Sequence, residues 1–295
     1  SLDLRIQRTT ENALAEIKDS QGVPLPAAAV MLDVQTGEIL ALASQPTFDP
    51  NRLAGRITIA DYEEVEKSGA WLNRATQGLY PPGSTFKIVT AIAGMRKKVV
   101  DWDDILECGA FYRVGNRDFP EHEPVGYGDV DLDKMLAISC NVWNYQIGLR
   151  AGPDALAAEA RRFGLDTPLL ETAASSDGPG ATYTELPYAA SRGLVVPDRE
   201  YKLRIKAGPW HDGDTANTSI GQGYVLTSPL HMASFAASLA RGETRTVPTI
   251  IHDPARDGRH RGSTPIGLNK AQLDAIRGGM VRCVEEGTGR SAHIQ

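Results

Sequence analysis

The N-terminal part of the chain has two short apolar runs separated by a polar turn. Residues 27–44 are rich in alanine, valine, leucine and isoleucine, and a turn at residues 35–37 interrupts them. Apolar runs bounded by turn residues are typical of paired strands. The pattern therefore predicts a β-hairpin with strands near residues 27–43, and residues 13–17 before it have the apolar spacing of a helix.

Beyond the hairpin the apolar pattern is mostly helical. Residues 88–95 are apolar on nearly every side, which predicts a buried helix at the centre of the domain. Residues 130–138 are amphipathic at helical spacing, and further helices are predicted at residues 232–240 and 270–284. Strands are expected to return after residue 225.

Two stretches rich in turn-forming residues predict long loops, at residues 109–128 and 173–213. Loops of that length in a compact domain tend to be functional or mobile. The chain contains no internal repeat and no low-complexity tract, so the pattern describes one folded unit.

The octapeptide at residues 80–87, Tyr-Pro-Pro-Gly-Ser-Thr-Phe-Lys, places candidate chemistry at the start of the buried helix. Ser84 and Lys87 are three residues apart, so on a helix the lysine amine can lie beside the serine hydroxyl. A serine needs a base to become a nucleophile, and a lysine is a usable base when desolvation lowers its pKa. Ser-x-x-Lys predicts acyl transfer, although a capping serine and a lysine that reaches solvent give the same two letters.

A second candidate segment follows the amphipathic helix. Ser139 and Asn141 are two residues apart, so in an extended loop both side chains would face the same cleft. A hydroxyl there suits a proton relay, and an amide can bind both a peptide carbonyl and the Lys87 ammonium. The alternative is an ordinary turn in which Ser139 and Asn141 bond their own backbone.

These segments together resemble a known family. Residues 73–87 closely resemble the active-site segment of class B penicillin-binding proteins, the monofunctional cell-wall transpeptidases, and are most similar to the elongation-type members often called penicillin-binding protein 2. Residues 139–141 resemble the family's second motif, and residues 219–230 resemble another characteristic stretch. Residues 2–17 and 46–51 resemble the family's opening helix and the loop that leaves its sheet. The resemblance covers most of the chain.

The resemblance implies the fold. We expect an α/β protein of the α+β type with the penicillin-binding and serine β-lactamase-like architecture. In it an antiparallel sheet is flanked by helices, a helical subdomain interrupts the sheet, and the site lies between the two parts. Residues 1–295 would form a single transpeptidase domain.

The resemblance also implies the chemistry, which needs no cofactor. Ser84 would attack the penultimate D-Ala carbonyl of a peptidoglycan stem peptide and form an acyl-enzyme, and β-lactam antibiotics would acylate the same serine. Lys87 would take the proton, Ser139 would relay protons, and Asn141 would bind substrate. A neighbouring stem peptide's amine would resolve the acyl-enzyme.

Expected partners are stem peptides, β-lactams and cell-wall elongation proteins. Family members are usually tethered to the bacterial cytoplasmic membrane by an N-terminal helix, with the catalytic domain on the extracytoplasmic side. No apolar run in this sequence approaches the 18 residues that span a bilayer, so the anchor is expected to lie outside it.

Two other functions use the same fold. One is a β-lactam-sensing or non-catalytic binding domain, and the other is a serine β-lactamase. The Ser-Cys-Asn sequence at residues 139–141 favours the transpeptidase, since class D lactamases and sensors usually carry Ser-x-Val.

The family's third motif, Lys-Thr-Gly or Lys-Ser-Gly, is expected on a strand beyond the second motif, where it recognises a carboxylate and supplies an oxyanion-hole N–H. No such sequence follows Asn141. Residues 287–289 read Gly-Thr-Gly but are preceded by Glu286, and they more resemble the turn before that strand. We therefore expect the sequence to stop short of the third-motif strand at the C-terminal end of the domain, and the chain as it stands to be impaired as an enzyme.

Composition excludes several other classes. The 295 residues are 41% hydrophobic and 23% charged, which is ordinary for a globular domain, and the net charge of −6 without a basic stripe disfavours nucleic acid. The three cysteines, Cys108, Cys140 and Cys283, are an odd number without Cys-x-x-Cys spacing and do not predict a disulfide framework.

The sequence does not predict a metal site, although one segment contains residue types that bind zinc. Residues 118–122, which include Asp118, Glu121 and His122, have Cys108 and Asp104 nearby and contain the residue types that bind zinc. Some elongation-type relatives carry a metal in this stretch. A solvated polar loop is the preferred interpretation, so no metal ligand is predicted. Motifs of zincins, of nucleophile-elbow hydrolases at Ser84 and of phosphate-binding loops are absent.

Overall fold

The computed structural model describes residues 2–173, 182–186, 194–252 and 264–293. The helices are α1 (Leu4–Ala15), α2 (Ile59–Ser68), α3 (Lys87–Arg96), α4 (Leu132–Ile138), α5 (Asn141–Ala151), α6 (Pro153–Arg162), α7 (Arg199–Arg204), α8 (Asp212–Ser219), α9 (Pro229–Arg241) and α10 (Lys270–Glu285). The strands are β1 (Ala27–Leu32), β2 (Ile39–Gln45), β3 (Leu106–Cys108), β4 (Phe111–Val114), β5 (Arg117–Pro120), β6 (Gly128–Val130), β7 (Glu171–Ala173) and β8 (Thr182–Thr184).

The predicted N-terminal hairpin is confirmed. Strands β1 and β2 pair antiparallel, from Ala27 opposite Gln45 to Leu32 opposite Ile39. Helix α1 packs on β2, and the Gln7 side chain completes the attachment by accepting the Leu42 N–H at 2.7 Å and donating to its carbonyl at 3.0 Å. The strand pair and its helix therefore form one layer at the N-terminal side of the domain.

The predicted central helix is also confirmed. Every residue of α3 from Lys87 to Met95 is buried. Helix α3 packs against α5 and α6, and Gly94 allows a close approach, because a Cβ there would lie 2.4 Å from the Ile147 Cγ2 atom. The buried α3 is the support on which the residues at its N-terminal end are placed.

The other predicted helices match the structure with small shifts in their bounds, whereas the two predicted long loops do not match it. The helices predicted at residues 130–138, 232–240 and 270–284 correspond to α4, α9 and α10. The predicted loop at residues 109–128 is wrong, because β4 and β5 form a hairpin within it and β3 pairs with β6 around it.

The predicted loop at residues 173–213 is wrong where the structure describes it, since α7 lies within it and α8 begins at Asp212. Residues 174–181 and 187–193 of this predicted loop lie outside the described residues. After residue 225 the described residues form isolated bridges, such as Glu38 with Thr249, in place of the expected strands. Within the described ranges, no helix has both the length and the apolar character needed to cross a membrane.

Residues 219–227 support the turn that precedes the central helix. Gly221 accepts the Gly83 N–H at 2.9 Å, and Tyr80 exchanges two main-chain hydrogen bonds with Thr227. Gly221 has a φ of +69°, and a Cβ there would lie 2.2 Å from the Gly83 carbonyl oxygen. Only glycine fits at this position, because both the backbone conformation and the space exclude a side chain.

Gly221→Ala is therefore expected to lower the free energy of unfolding by about 2–4 kcal/mol, since it adds left-handed strain and a backbone clash. Gly223→Ala is the matched control. Its φ is +75°, but its Cβ would meet only the Asn217 Cβ at 3.4 Å, so a loss of about 1 kcal/mol is expected. Urea unfolding of both variants measures the difference, and equal losses would contradict the proposed clash at Gly83.

Candidate active site

Ser84 lies at the entrance to the buried helix. Gly83 has a φ of +57° and begins a short 3-10 helix, Gly83–Phe86, that runs directly into α3. This turn leaves Ser84 exposed and sends Lys87 inward, where it is 1% exposed. An accessible hydroxyl and a buried amine thus lie at one end of the same helix.

Ser139 joins these two groups. Its Oγ lies 2.9 Å from the Ser84 Oγ and accepts a hydrogen bond from the Lys87 amine at 3.0 Å. The Lys87 amine also donates to the Ser139 carbonyl oxygen. The structure therefore brings Ser84, Ser139 and Lys87 into one hydrogen-bonded chain, in which the serine and lysine of the Ser-x-x-Lys sequence are connected through Ser139.

The second motif differs from the extended loop that the sequence predicted. Ser139 ends α4 in a left-handed conformation with φ 59° and ψ 42°, Cys140 caps the next helix, and Asn141 is the first residue of α5. Two helices meet at this two-residue junction, Ser139 and Cys140, so packing between helices overrides the extended geometry. Asn141 is half-buried, and the hydrogen bonds of the Lys87 amine go to Ser139. The contact expected between the Asn141 amide and Lys87 is not among them.

Burial changes the acidity of the lysine. Desolvation lowers the pKa of Lys87 from 10.5 to about 8, while the negative charge of Glu121 acts in the opposite direction. A lysine with this pKa is partly unprotonated in mildly alkaline solution, so it can accept a proton.

A cavity of about 320 Å³ opens beside the three residues. Ser84, Lys87 and Ser139 form part of its wall, and Met135, Leu136 and Met280 are among the apolar side chains that line it. The cavity thus combines an apolar surface with a reactive hydroxyl, as small-molecule sites commonly do.

The Gly-Thr-Gly segment lies at the same cavity. Residues 287–289 form a turn directly after α10, as the sequence predicted, and the Thr288 N–H donates to the Ala137 carbonyl at 3.1 Å. Thr288 lines the cavity, which the sequence did not indicate.

A Lys-Ser-Gly sequence occurs before Ser84, at residues 67–69, but the structure gives it another role. It ends the surface helix α2, with Lys67 paired to Glu63 at 2.9 Å and Gly69 as the left-handed cap. The tripeptide is therefore part of a helix terminus and not of a strand at the cavity.

Glu121 belongs to this region, and the sequence did not indicate its contact with the second motif. Its side chain is fully buried, and it accepts the main-chain N–H groups of Asn141 and Val142 at 3.1 and 2.9 Å. Burial acts to raise the pKa of Glu121, but these hydrogen bonds outweigh it and hold the pKa below its ordinary value. No sequence pattern separates Glu121 from the neighbouring Glu123, so only the packing identifies it.

The structure brings Glu121 and His122 of the candidate zinc segment together but leaves Asp118 apart from them. Asp118 pairs with Arg113 at 2.7 Å, and His122 pairs with Glu121 at 2.7 Å. In the part of the chain that the structure describes, no three His, Cys, Asp or Glu side chains form a group that could hold a metal ion.

Comparison with known proteins identifies the family. Residues 27–295 match the family model described as the penicillin binding protein transpeptidase domain. The peptidoglycan D,D-transpeptidase MrdA of Acinetobacter baumannii is 32% identical over 275 residues, with 89% of this chain and 38% of that protein covered. MrdA of Escherichia coli is 29% identical, with 88% of this chain and 38% of that protein covered. The chain thus spans about two fifths of the length of these relatives.

Solved structures agree with the fold. Penicillin-binding protein 2 of Pseudomonas aeruginosa matches with a TM-score of 0.80 at 28% identity, covering 98% of this chain and 63% of that chain. A complex between penicillin-binding protein 2 and MreC from Helicobacter pylori contains a match with a TM-score of 0.78 at 26% identity, covering 98% of this chain and 49% of that chain. The predicted α+β fold of penicillin-binding type is confirmed.

The lysine's pKa predicts a pH dependence for the reactivity of Ser84. Reaction with a fluorescent penicillin is expected to accelerate as the pH rises through about 8, because only unprotonated Lys87 can accept a proton. In Lys87→Arg the side chain stays charged at any working pH, so labelling should fall at least about a hundredfold. Labelling rates across the pH range, with thermal unfolding to check the fold, test this.

Lys134→Arg is the matched control for that substitution. The Lys134 amine is occupied by the carbonyl oxygens of Tyr127 and Asp129 and does not enter the cavity wall described above. Its replacement should leave the pH profile unchanged. Near-normal labelling of Lys87→Arg would show that another group is the base.

Proposed function

The chain belongs to the penicillin-binding protein transpeptidase family, in its class B, penicillin-binding-protein-2-type branch, and we propose that it is a peptidoglycan D,D-transpeptidase with Ser84 as its nucleophile. The observation that carries this proposal is the chain of hydrogen bonds from Ser84 through Ser139 to Lys87, with distances of 2.9 and 3.0 Å. An exposed hydroxyl connected to a buried amine is the arrangement that serine acylation requires.

Acylation follows from that arrangement. The Ser84 Oγ forms a bond with the penultimate D-Ala carbonyl carbon, and its proton moves through the Ser139 hydroxyl to unprotonated Lys87. When the tetrahedral intermediate collapses, the bond to the terminal D-Ala nitrogen breaks. Lys87 then returns the proton through Ser139 to the leaving amine.

The second half repeats the path in reverse. The amine of a neighbouring stem peptide attacks the acyl carbon and loses its proton towards Lys87. The bond to the Ser84 Oγ breaks, and Ser84 recovers a proton through Ser139. The new amide cross-links the two peptides, and the enzyme returns to its starting state.

Asn141 is proposed to bind the substrate. It occupies the first position of α5, two residues after Ser139, and its amide can pair with a peptide carbonyl. No cofactor is needed for any of these steps. Residues 1–295 are proposed to belong to one transpeptidase domain, with β-lactams as acylating analogues of the stem peptide.

Location and partners are proposed from the relatives. A solved complex joins penicillin-binding protein 2 with MreC, and another structure is described as coordinating polymerization and crosslinking in a peptidoglycan synthase complex. We infer that cell-wall elongation proteins bind this chain too, and that it acts on the extracytoplasmic side of the bacterial membrane.

The central test is covalent labelling of the full-length protein. Incubation with a labelled penicillin should add one acyl group, and peptide mapping should place it on Ser84. Ser84→Ala should lose at least about 99% of the label, since Ser84 is the hydroxyl that, among the described residues, connects to Lys87 through Ser139.

Thr85→Ala is the matched control, because the Thr85 hydroxyl is exposed beside Ser84 but donates to the Pro82 carbonyl. It should label normally. An adduct on another residue, or one that persists in Ser84→Ala, would overturn the assignment.

Release of D-Ala from a stem peptide with transfer to an acceptor amine would establish the transpeptidase. Labelling without release would indicate a sensor, and rapid loss of the label by hydrolysis would indicate a β-lactamase.

A further inference from the structure

Two neighbouring side chains at the end of β5 lie against the second motif without belonging to it. Glu121 and His122 contact each other, with 2.7 Å between the Glu121 Oε1 and the His122 Nδ1. The glutamate side chain is fully buried, and the histidine side chain is 42% exposed. A buried carboxylate is costly unless hydrogen bonds compensate it, so its contacts identify what it stabilises.

The Glu121 carboxylate caps the N-terminus of α5. Its Oε1 accepts the Asn141 N–H at 3.1 Å, and its Oε2 accepts the Val142 N–H at 2.9 Å. The Cys140 thiol donates to Oε2 at 3.1 Å, and the His122 N–H donates to Oε1 at 3.0 Å. The Asn141 and Val142 N–H groups are at the start of α5 and have no partner inside the helix, and the helix dipole favours an anion at this end. The carboxylate thus fixes the chain immediately after Ser139.

The His122 ring fixes the chain immediately before Ser139. Its Nε2 lies 3.1 Å from the Ile138 carbonyl oxygen and 2.7 Å from the Tyr127 hydroxyl. Ile138 is the last residue of α4. The pair of side chains therefore holds both neighbours of the Ser139-Cys140 junction, one on each side.

The junction needs such support. Ser139 has a φ of 59°, a conformation that costs a non-glycine residue on the order of 1 kcal/mol and persists only when its surroundings impose it. In this conformation the Ser139 hydroxyl and carbonyl both face the Lys87 amine. A small rotation at Ser139 would separate the hydroxyl from Ser84 or from Lys87.

We propose that Glu121 and His122 are positioning residues that hold Ser139 and Asn141 in the geometry required for acylation of Ser84. The inference rests on the proposed transpeptidase function. Neither side chain is in the wall of the cavity, so both act through the second motif and not by touching substrate.

The charge of Glu121 provides a readout that a purely structural role would not affect. The Glu121 carboxylate favours the charged form of Lys87 against desolvation. The Cys140 thiol stays neutral, because its hydrogen bond with Cys108 and its burial raise its pKa. Burial raises the pKa of Tyr127 and of Tyr145, and the charge of Glu121 adds to both shifts. Replacing Glu121 by glutamine removes a negative charge, so Lys87 should lose its proton at lower pH.

The experiment measures the acylation rate constant of full-length Glu121→Gln with a fluorescent penicillin over a range of pH. We expect the maximal rate to fall at least about tenfold, because the glutamine NH2 cannot accept the N–H that it would face. The rising limb of the profile should also move to lower pH.

Glu159→Gln is the matched control. Glu159 is another buried carboxylate, 2% exposed, but it pairs with Arg96 at the opposite end of α3. Its loss should lower the melting temperature without moving the pH profile. If Glu121→Gln keeps the wild-type limb and is no slower than Glu159→Gln, the proposal is overturned.

His122→Ala keeps the test decisive if Glu121→Gln fails to fold, because the half-exposed ring can be removed without opening the core. Acylation about threefold slower or more is expected once the Ile138 carbonyl loses its partner. A wild-type rate in this variant would overturn the proposal. Wild-type protein that is not labelled at Ser84 would instead refute the proposed function, so the two failures are distinguishable.

Discussion

The burial of one amine is the constraint on which the rest of this structure depends. Lys87 is 1% exposed at the start of a helix whose next eight residues are all buried. A charged amine taken out of water is destabilising by several kcal/mol unless hydrogen bonds compensate it. Ser139 supplies two acceptors, its carbonyl and its hydroxyl, and the same hydroxyl reaches Ser84. Ser139, whose hydrogen bonds compensate the burial of the Lys87 amine, therefore also connects this amine to Ser84.

This requirement extends into the backbone around Ser139. One residue presents its carbonyl and its side chain to the same amine only because α4 stops there in a left-handed conformation and α5 starts two residues later. The conformation is unfavourable by itself, so neighbouring elements must impose it. Helix α10 packs on α4, the turn after α10 bonds to Ala137, and Glu121 and His122 hold the residues on either side. The nucleophile's turn is held independently, through Gly83 and Gly221.

The parts that the sequence predicted are those governed by local pattern. The hairpin, the buried α3 and the Ser84–Lys87 pair follow from apolar spacing and from residues three apart. The left-handed Ser139 could not be predicted, because its conformation results from two helices meeting and no residue type at that position requires it. The same applies to Glu121, which is an unremarkable acidic residue until β5 and α5 pack together. The frequent turn residues in residues 109–128 predict a loop, but in the structure they form the turns that connect short paired strands.

Two opposing forces act on the lysine, and their balance explains why a buried carboxylate lies near a proposed base. Burial alone would favour a neutral amine, which accepts protons but is a weaker hydrogen-bond donor than the ammonium to the two acceptor atoms on Ser139. The charge of Glu121 favours the ammonium and limits the fall of the lysine's pKa to about 8. Near that value both forms are populated in mildly alkaline solution, so the amine can hold Ser139 as a donor and still release its proton. The carboxylate that fixes the second motif therefore also limits how strongly burial depresses the lysine's pKa, and geometry and acidity are coupled through one side chain.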